Sequence, residues 1–170
     1  MKGIIRMPNK IINVLIVIDA ETIIQQLPSS LDPEYPTNVC SGMVYIIIRS
    51  DDRLIGDPSL TLSVRVGDVI RWRATTPSYN MLHSALFCDF KANPNELISP
   101  VQSRVTKVNS PYPDENDPDS PKRQIIIGNY WGCDVLKRGK VTYRFDFMIL
   151  DRDNEVLGYY YSEASLEIKF

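Results

Sequence analysis

Apolar and polar residues alternate with a period of two along much of this chain. In segment 60–66 (LTLSVRV) every even position is aliphatic and every odd position is polar. Segments 69–74 (VIRWRA) and 141–149 (VTYRFDFMI) follow the same period, with aromatic and aliphatic residues on one face and charged residues on the other. The pattern predicts β-strands with one buried and one solvated face, which is typical of antiparallel sheets.

Two other segments are almost continuously apolar. Residues 11–18 (IINVLIVI) and 44–48 (VYIII) show no alternation, which predicts central strands that are either covered on both faces or deeply buried. The first run follows basic residues, as in a secretion signal, but it contains Asn13, ends at Asp19 and lacks a small-x-small cleavage site. It is also shorter than the roughly twenty apolar residues that a membrane-spanning helix needs. We therefore interpret it as a buried strand and expect a cytoplasmic protein.

Turn residues separate the predicted strands. Gly67 and Gly139 are placed to adopt positive φ in tight hairpins. Helix signals are few: Asp19 is placed to cap a short helix closed by Pro28, and Asn93 is placed to cap a second short turn.

Most of the prolines fall in two polar stretches, 27–42 and 109–124, which we expect to be surface loops. At 170 residues the chain has the length of one domain (1–170), and neither stretch has the length or repetitive composition of a linker. Short strands joined by proline-rich and glycine-rich connections predict an all-β fold. We expect an antiparallel β-sandwich of the jelly-roll or immunoglobulin-like kind, with one or two short helices.

The charges of the chain nearly cancel, because the formal net charge is −2. The longest basic clusters are the pairs 122–123 (KR) and 137–138 (KR), which both lie beside predicted turns. A nucleic-acid-binding protein shows a basic face or a longer basic run. We therefore expect neither nucleic acid nor a membrane among the partners.

Segment 65–87 (RVGDVIRWRATTPSYNMLHSALF) has the strand pattern of copper-binding cupredoxins, followed by His83. A mononuclear copper site needs two histidines and a cysteine, whereas this chain contains one histidine in total. We therefore expect His83 to contact a backbone carbonyl or solvent, and we predict no metal site and no cofactor. The acidic loop 114–119 (DENDPD) offers oxygen ligands without the spacing of an EF-hand, so solvation and calcium binding remain alternatives there.

The sequence contains no catalytic motif of the common kinds. A nucleophile elbow, a phosphate-binding loop and a dinucleotide-binding motif are all missing. The three cysteines, Cys40, Cys88 and Cys133, form neither a disulfide framework nor a zinc motif. Two carboxylates that the fold brings together, as in glycosidases, would escape detection in a sequence. We predict no catalytic residue and no enzymatic activity.

Aromatic residues concentrate towards the C-terminal end of the chain. Tyr130 and Trp131 are adjacent, and the run 159–161 (YYY) places Tyr160 opposite to its two neighbours. Exposed aromatic side chains serve association or the stacking of sugars, because they bury a large area at a low entropy cost. We select Tyr130, Trp131 and Tyr160 as candidates for an association or ligand surface. An ordinary core with an aromatic edge is the alternative.

Three segments resemble a known family. They are INVLIVIDAETII near the start, VRVGDVIRWRAT in the middle, and YWGCDVLKRGKVTYRFDFMILDRDNEVLGYYY near the end. In combination they are similar to the bacterial inclusion-body protein family, whose named members are PixA and AidA. Family members often carry Trp-Asp-Pro after the last tyrosine strand, where this chain has the residues 162–165 (SEAS).

The resemblance implies a cytoplasmic, single-domain β-sandwich with no established enzyme activity, cofactor or catalytic residue. Some relatives accumulate as crystalline inclusions, and some are made under quorum-sensing control in host-associated bacteria. We therefore expect a non-enzymatic protein that associates with itself as a homodimer or larger assembly. The competing prediction is a small-molecule or carbohydrate-binding module, assisted by calcium in the acidic loop, which a glycan would stabilise and a chelator would destabilise.

Overall fold

The structure is a computed structural model that describes residues 9–40, 42–49, 54–57 and 61–170. In chain order its elements are β1 (Ile11–Ile18), α1 (Ala20–Gln26), β2 (Thr37–Asn38), β3 (Val44–Arg49), β4 (Leu54–Asp57), β5 (Thr61–Arg65), β6 (Val69–Thr75), β7 (Ser84–Asn93), a 3-10 helix (Asn95–Leu97), β8 (Gln102–Tyr112), β9 (Lys122–Asp134), β10 (Gly139–Leu150) and β11 (Val156–Lys169). None of the helices in these ranges is long and apolar enough to span a membrane.

The strands form two sheets. The first sheet has the order β4-β3-β1-β6-β9-β8, and the second has the order β2-β11-β10-β7 with β5 also paired to β11. The prediction of an all-β sandwich is confirmed. The sheets are mixed, however: β1 pairs in parallel with β6, and β11 pairs in parallel with β2 and β5, while the other neighbours are antiparallel.

The alternating segments place their apolar faces inwards, as predicted. On β10 every odd position from Val141 to Ile149 is almost fully buried. On β6 the side chains of Ile70 and Trp72 are buried, and on β5 those of Leu62 and Val64 are buried. These residues belong to one hydrophobic core that joins both sheets. Leu60, which begins the first alternating segment, lies outside the described residues.

The two continuously apolar segments lie centrally in the first sheet, but they are not covered on both faces. β1 lies between β3 and β6, and β3 lies between β4 and β1. On the outer face, however, Leu15 and Tyr45 are exposed. The prediction of coverage on both faces is therefore wrong, because the outer face of this sheet faces solvent.

The turns and the helix agree with the sequence patterns. Gly67 and Gly139 both have positive φ, and the Asp19 carboxylate accepts a hydrogen bond from the Thr22 N–H at the start of α1. The second predicted turn exists as the 3-10 helix 95–97, but Asn93 is the last residue of β7 and does not cap it.

The two predicted loops contain more pairing than their composition indicates. Within 27–42, β2 pairs with β11, and Ser30 forms an isolated bridge with Tyr159; Ser41 lies outside the described residues. Within 109–124, β8 continues to Tyr112 and β9 begins at Lys122, so that the connecting loop is 113–121. Pro111 does not interrupt β8, because β8 is the edge strand of the sheet, where a missing N–H is tolerated.

Candidate association surface

The three aromatic candidates occupy three different environments. Tyr160 is 0% exposed, so its selection as a surface residue is wrong. The alternation in β11 is as predicted, but its inward face is the one that carries Tyr160, whose ring stacks on Phe147 at 5.9 Å between centroids. Trp131 is half-buried and packs against Phe90 of the opposite sheet, with 5.4 Å between the ring centroids.

Tyr130 is the only one of the three on an outer face. The guanidinium carbons of Arg71 and Arg73 lie 4.8 Å and 5.2 Å from its ring centroid, in cation–π geometry. The Arg73 Nη1 also donates to the Asn13 Oδ1 at 2.9 Å. The ring is therefore held by two cations on the outer face of the first sheet, next to the exposed aliphatic residues of β1.

The most exposed paired strands are the distal parts of β8 and β9. Residues 104–112 and 122–130 pair with each other, whereas β9 pairs with β6 only over residues 131–134. We call these two segments the arm. Nine residues of strand span about 30 Å, so the arm is a two-stranded ribbon that extends the edge of the first sheet.

Neither face of the arm is covered within the described structure. Its side chains are exposed except those of Thr106, Ser110 and Tyr130, and Gly128 is partly buried. Val105 is 75% exposed, and Ile125 and Ile127 are 69% and 75% exposed. An isolated two-stranded hairpin is marginally stable in water, and clustered exposed aliphatic residues mark interaction surfaces. The arm is therefore the strongest candidate for an association surface.

The two long edges of the arm differ in chemistry. The β8 strand carries Arg104, Lys107 and Pro111, and charged residues and proline on an edge strand oppose pairing with another chain. The β9 strand has neither a charge nor a proline over residues 125–128 (IIIG). The unprotected edge is therefore that of β9.

The sequence contained a signal for the arm that proline content obscured. Four prolines between 111 and 121 indicated a loop, whereas segment 104–110 (RVTKVNS) and the β-branched run 125–127 (III) are typical of strands. What the sequence could not show is that these strands pair with each other and leave both faces exposed. An apolar run normally indicates a buried strand, whereas these three isoleucines are exposed.

The polar candidates are engaged in local interactions. The His83 Nδ1 lies 3.2 Å from the Glu21 Oε1 of α1, and so His83 contacts a carboxylate where we expected a backbone carbonyl or solvent.

In the acidic loop, Asp114 accepts hydrogen bonds from the Lys122 Nζ and the Asn116 N–H, which together lower the pKa of its carboxyl. Within the described ranges, no three His, Cys, Asp or Glu side chains come together as a metal-binding group.

A buried carboxylate lies on the outer face of the second sheet. Asp146 of β10 accepts two hydrogen bonds from the Arg144 guanidinium, at 2.6 Å and 2.9 Å, and lies 3.8 Å from the Lys91 Nζ. Lys91 also contacts Asp89, at 3.4 Å. The two carboxylates thus share a lysine, and both oxygens of Asp146 are used by the arginine. This arrangement resembles a structural ion-pair network.

Burial makes two of the thiols poor nucleophiles. It raises the pKa of Cys133 to about 12, with a smaller contribution from the Asp134 carboxylate. It also raises the pKa of Cys88 to about 11, assisted by Asp146 and Asp89. Since the thiolate is the reactive form of cysteine, neither side chain has the environment of a catalytic thiol.

A cavity of about 630 Å³ opens beside β5 and the N-terminal end of β1. Its charged lining includes Arg49, Arg65 and Lys169, with Asp68 as the opposing carboxylate. Asp68 is buried, and its two oxygens accept the backbone N–H groups of Lys10 and Arg65. The lining side chains of this cavity therefore carry more positive than negative charge.

Two of the comparisons with known proteins identify the inclusion body proteins. The family model of PixA, described as an inclusion body protein, matches residues 10–168. The crystal structure of an inclusion body protein from Burkholderia cenocepacia J2315 has a TM-score of 0.81 at 17% identity, over 98% of this chain and 100% of that chain. A cysteine protease inhibitor from Entamoeba histolytica, at 14% identity over 96% of this chain and 100% of that one, has a TM-score of only 0.35, which indicates no shared fold. No curated protein matches the chain.

Proposed function

Because the chain belongs to the PixA family of inclusion body proteins, we propose that it acts without catalysis, by associating with copies of itself. The observation that carries this proposal is the arm, which exposes aliphatic side chains on both faces. An assembly of identical chains removes such surface from water without a second protein, and symmetric homo-oligomers are the commonest soluble assemblies. A homodimer is the smallest assembly of this kind.

Light-scattering mass across a dilution series tests the proposal. From about 1 mM to about 1 μM protein, a range that covers weak and moderate association, we expect a dimer or larger species that dissociates on dilution. A chelator should leave the mass unchanged, since the association uses aliphatic contacts. A monomer at every concentration contradicts the proposal.

The cellular setting is the second part of the proposal. We propose that the protein accumulates at high density in the cytoplasm of a bacterium, within a quorum-sensing or host-association programme. The family description as inclusion body protein supports the accumulation. Immunoblots of cell fractions collected along a growth curve test both parts: we expect the protein to rise with cell density and to sediment with inclusions. A constant, fully dispersed protein contradicts them.

One observation favours a second candidate function, the binding of a small ligand. The cavity of about 630 Å³ has the size of small-molecule sites in general, and its basic lining suits an anionic sugar or another small anion. A thermal-shift screen of acidic and neutral glycans, with and without calcium, tests this candidate, because a ligand of the folded state raises the unfolding midpoint. Loss of the shift in an Arg65→Ala variant would assign it to the cavity. No shift with any compound, or a shift that Arg65→Ala leaves unchanged, counts against it.

A further inference from the structure

The free edge of β9 is built for pairing with another strand. Over residues 122–130, β9 is paired to β8 on one side only, and within the described structure no other strand continues the ladder on its second side. Alternate residues of an edge strand direct their N–H and C=O groups away from the sheet. This edge therefore offers unpaired backbone groups next to the three isoleucines 125–127.

The sequence of this edge is self-complementary about Ile126. In an antiparallel two-fold pairing centred on that residue, Ile125 lies opposite Ile127 of the other copy and Ile126 lies opposite itself. Towards the ends, the register pairs Lys122 with Tyr130, residue 123 (Arg) with residue 129 (Asn), and residue 124 (Gln) with residue 128 (Gly). No like charges lie directly opposite each other on the two paired strands in this register.

We propose that two copies of this chain pair antiparallel along the β9 edges of their arms, with the two-fold axis at Ile126. The result is a four-stranded ribbon in the order β8-β9-β9-β8. The proposal rests on the self-association proposed above and names the surface that mediates it. The β8 edges, with Lys107 and Pro111, become the outer edges of the ribbon, where charge and proline prevent further addition of strands.

The size of this contact suits a dissociable dimer. Nine residues paired on each copy, 122–130, form about nine interstrand hydrogen bonds, which is close to the roughly ten of a typical protein interface. The ribbon also doubles the number of strands in the arm, from two to four, and three or more strands are needed for independent stability of a sheet. Strand addition of this kind takes its affinity mainly from backbone hydrogen bonds.

Disulfide trapping tests the register directly. In a Cys40→Ser background, which removes the exposed thiol, Ile126→Cys places two thiols opposite each other, with Cβ atoms about 5 Å apart. The matched control is Val108→Cys, because Val108 is the cross-strand neighbour of Ile126 on the same face of the arm. In the ribbon the two copies of residue 108 are about 14 Å apart, three strand spacings, and cannot be bridged. Under mild oxidation we expect a covalent dimer from Ile126→Cys alone.

A charge pair gives a second, independent measurement. Ile126→Glu places two carboxylates opposite each other at the axis, whereas Val108→Glu keeps the new carboxylates apart. The two positions are similarly exposed, at 36% and 43%, so their effects on the arm itself should be alike. We expect Ile126→Glu to weaken the dimer at least about tenfold, since juxtaposed like charges oppose association, and Val108→Glu to leave it within about threefold of the wild type.

The outcomes separate this inference from the proposal on which it rests. A wild-type dimer that Ile126→Cys traps and Ile126→Glu dissociates, with both Val108 variants unaffected, supports the pairing. If the wild type is a dimer but Ile126→Glu does not weaken it, the pairing is wrong and self-association stands. The same holds if Val108→Cys forms a covalent dimer as readily as Ile126→Cys. A wild-type monomer at every concentration overturns both. Circular dichroism of each variant establishes that the sandwich is folded.

Discussion

At the scale of single residues, Gly158 shows how tightly the core is packed around a buried tyrosine. A Cβ atom at Gly158 would lie 2.7 Å from the Tyr160 Oη and 2.8 Å from its Cε2. Tyr160 is fully buried and packed against Phe147, so its rigid ring has little room to move. The absence of a side chain at position 158 is therefore a requirement of the packing.

We predict that Gly158→Ala lowers the free energy of unfolding by about 1–3 kcal/mol, the usual cost of overpacking. Gly128→Ala, measured at a protein concentration at which the chain is a monomer, is the control, because its Cβ would meet only ordinary contacts, the nearest being the Val108 Cγ2 at 3.6 Å. Urea denaturation of both variants measures the difference. Equal effects of the two substitutions would mean that Tyr160 does not constrain Gly158.

The three cysteines should differ in reactivity. Cys133 is buried with its pKa raised to about 12, and Cys88 is partly buried with its pKa raised to about 11, whereas Cys40 is exposed. At pH 8 the thiolate fraction at Cys133 is about one in ten thousand, and the thiolate is the form that reacts. We predict that a thiol reagent labels Cys40 alone in the native protein and all three cysteines in urea, as mapped by mass spectrometry. Labelling of Cys133 before unfolding would contradict its burial.

The residue patterns predicted which side chains share a face, but they did not always predict which face is buried. On β10 all odd positions are apolar and all even positions but Met148 and Leu150 are polar, so the inward face was clear from the sequence. In the tyrosine run of β11 both faces carry the same residue type. Only the pairing of β11 with β10 decides that Tyr160 is the inward one.

At the scale of elements, the arm is the part of the fold that the sequence indicated least well. Its strands contain an isoleucine run and alternating residues, but prolines near their ends indicated a loop. Composition reports local backbone preference, whereas the extension of β8 and β9 depends on their pairing with each other. The turns at Gly67 and Gly139 were predictable because positive φ is a local requirement.

The connection at the tip of the arm should respond to pH through one ion pair. The Lys122 Nζ lies 2.7 Å from the Asp114 Oδ2, and this hydrogen bond, followed by that from the Asn116 N–H, lowers the pKa of Asp114. A carboxyl group with a lowered pKa in the folded state contributes stability above its ordinary pKa. That contribution is lost as the pH falls through the lowered value, when the carboxylate takes up a proton.

We predict that Lys122→Met raises the pKa of Asp114 towards its usual value, because it removes the largest of the causes that lower this pKa. Titration of the Asp114 carboxyl carbon by NMR measures the shift. Lys107→Met is the control, since Lys107 lies along the same arm opposite Ile127. An unchanged pKa in Lys122→Met would mean that the ion pair is absent in solution.

At the scale of the whole molecule, the core and the arm are separate in their packing. The buried residues of both sheets form one hydrophobic core, which includes Cys133 at the base of β9 but none of residues 104–112 and 122–130. The existence of a sandwich followed from strand patterns alone. The order of strands within each sheet did not, because the parallel pairs β1–β6 and β5–β11 join segments that are distant in the sequence.

The separate packing of the core and the arm predicts that the sandwich folds without the distal arm. Replacing residues 106–128 by Asn-Gly closes a hairpin between Val105 and Asn129, which are paired in the native structure, with a two-residue turn suited to antiparallel strands. We expect the free energy of unfolding of the monomer to change by less than about 1 kcal/mol, since the removed residues bury little surface. The shortened protein should also be monomeric at every concentration in light scattering.

The free energies of unfolding of the two proteins must be compared at a protein concentration at which the wild-type protein is a monomer. A dimer of folded chains is stabilised by mass action, so its unfolding midpoint rises with protein concentration. We therefore expect the wild-type midpoint to depend on concentration, that of the shortened protein to be constant, and the two to converge on dilution. A shortened protein that unfolds without cooperativity would show that the arm belongs to the folding unit. Convergence would instead mean that the arm serves association and the sandwich carries the fold.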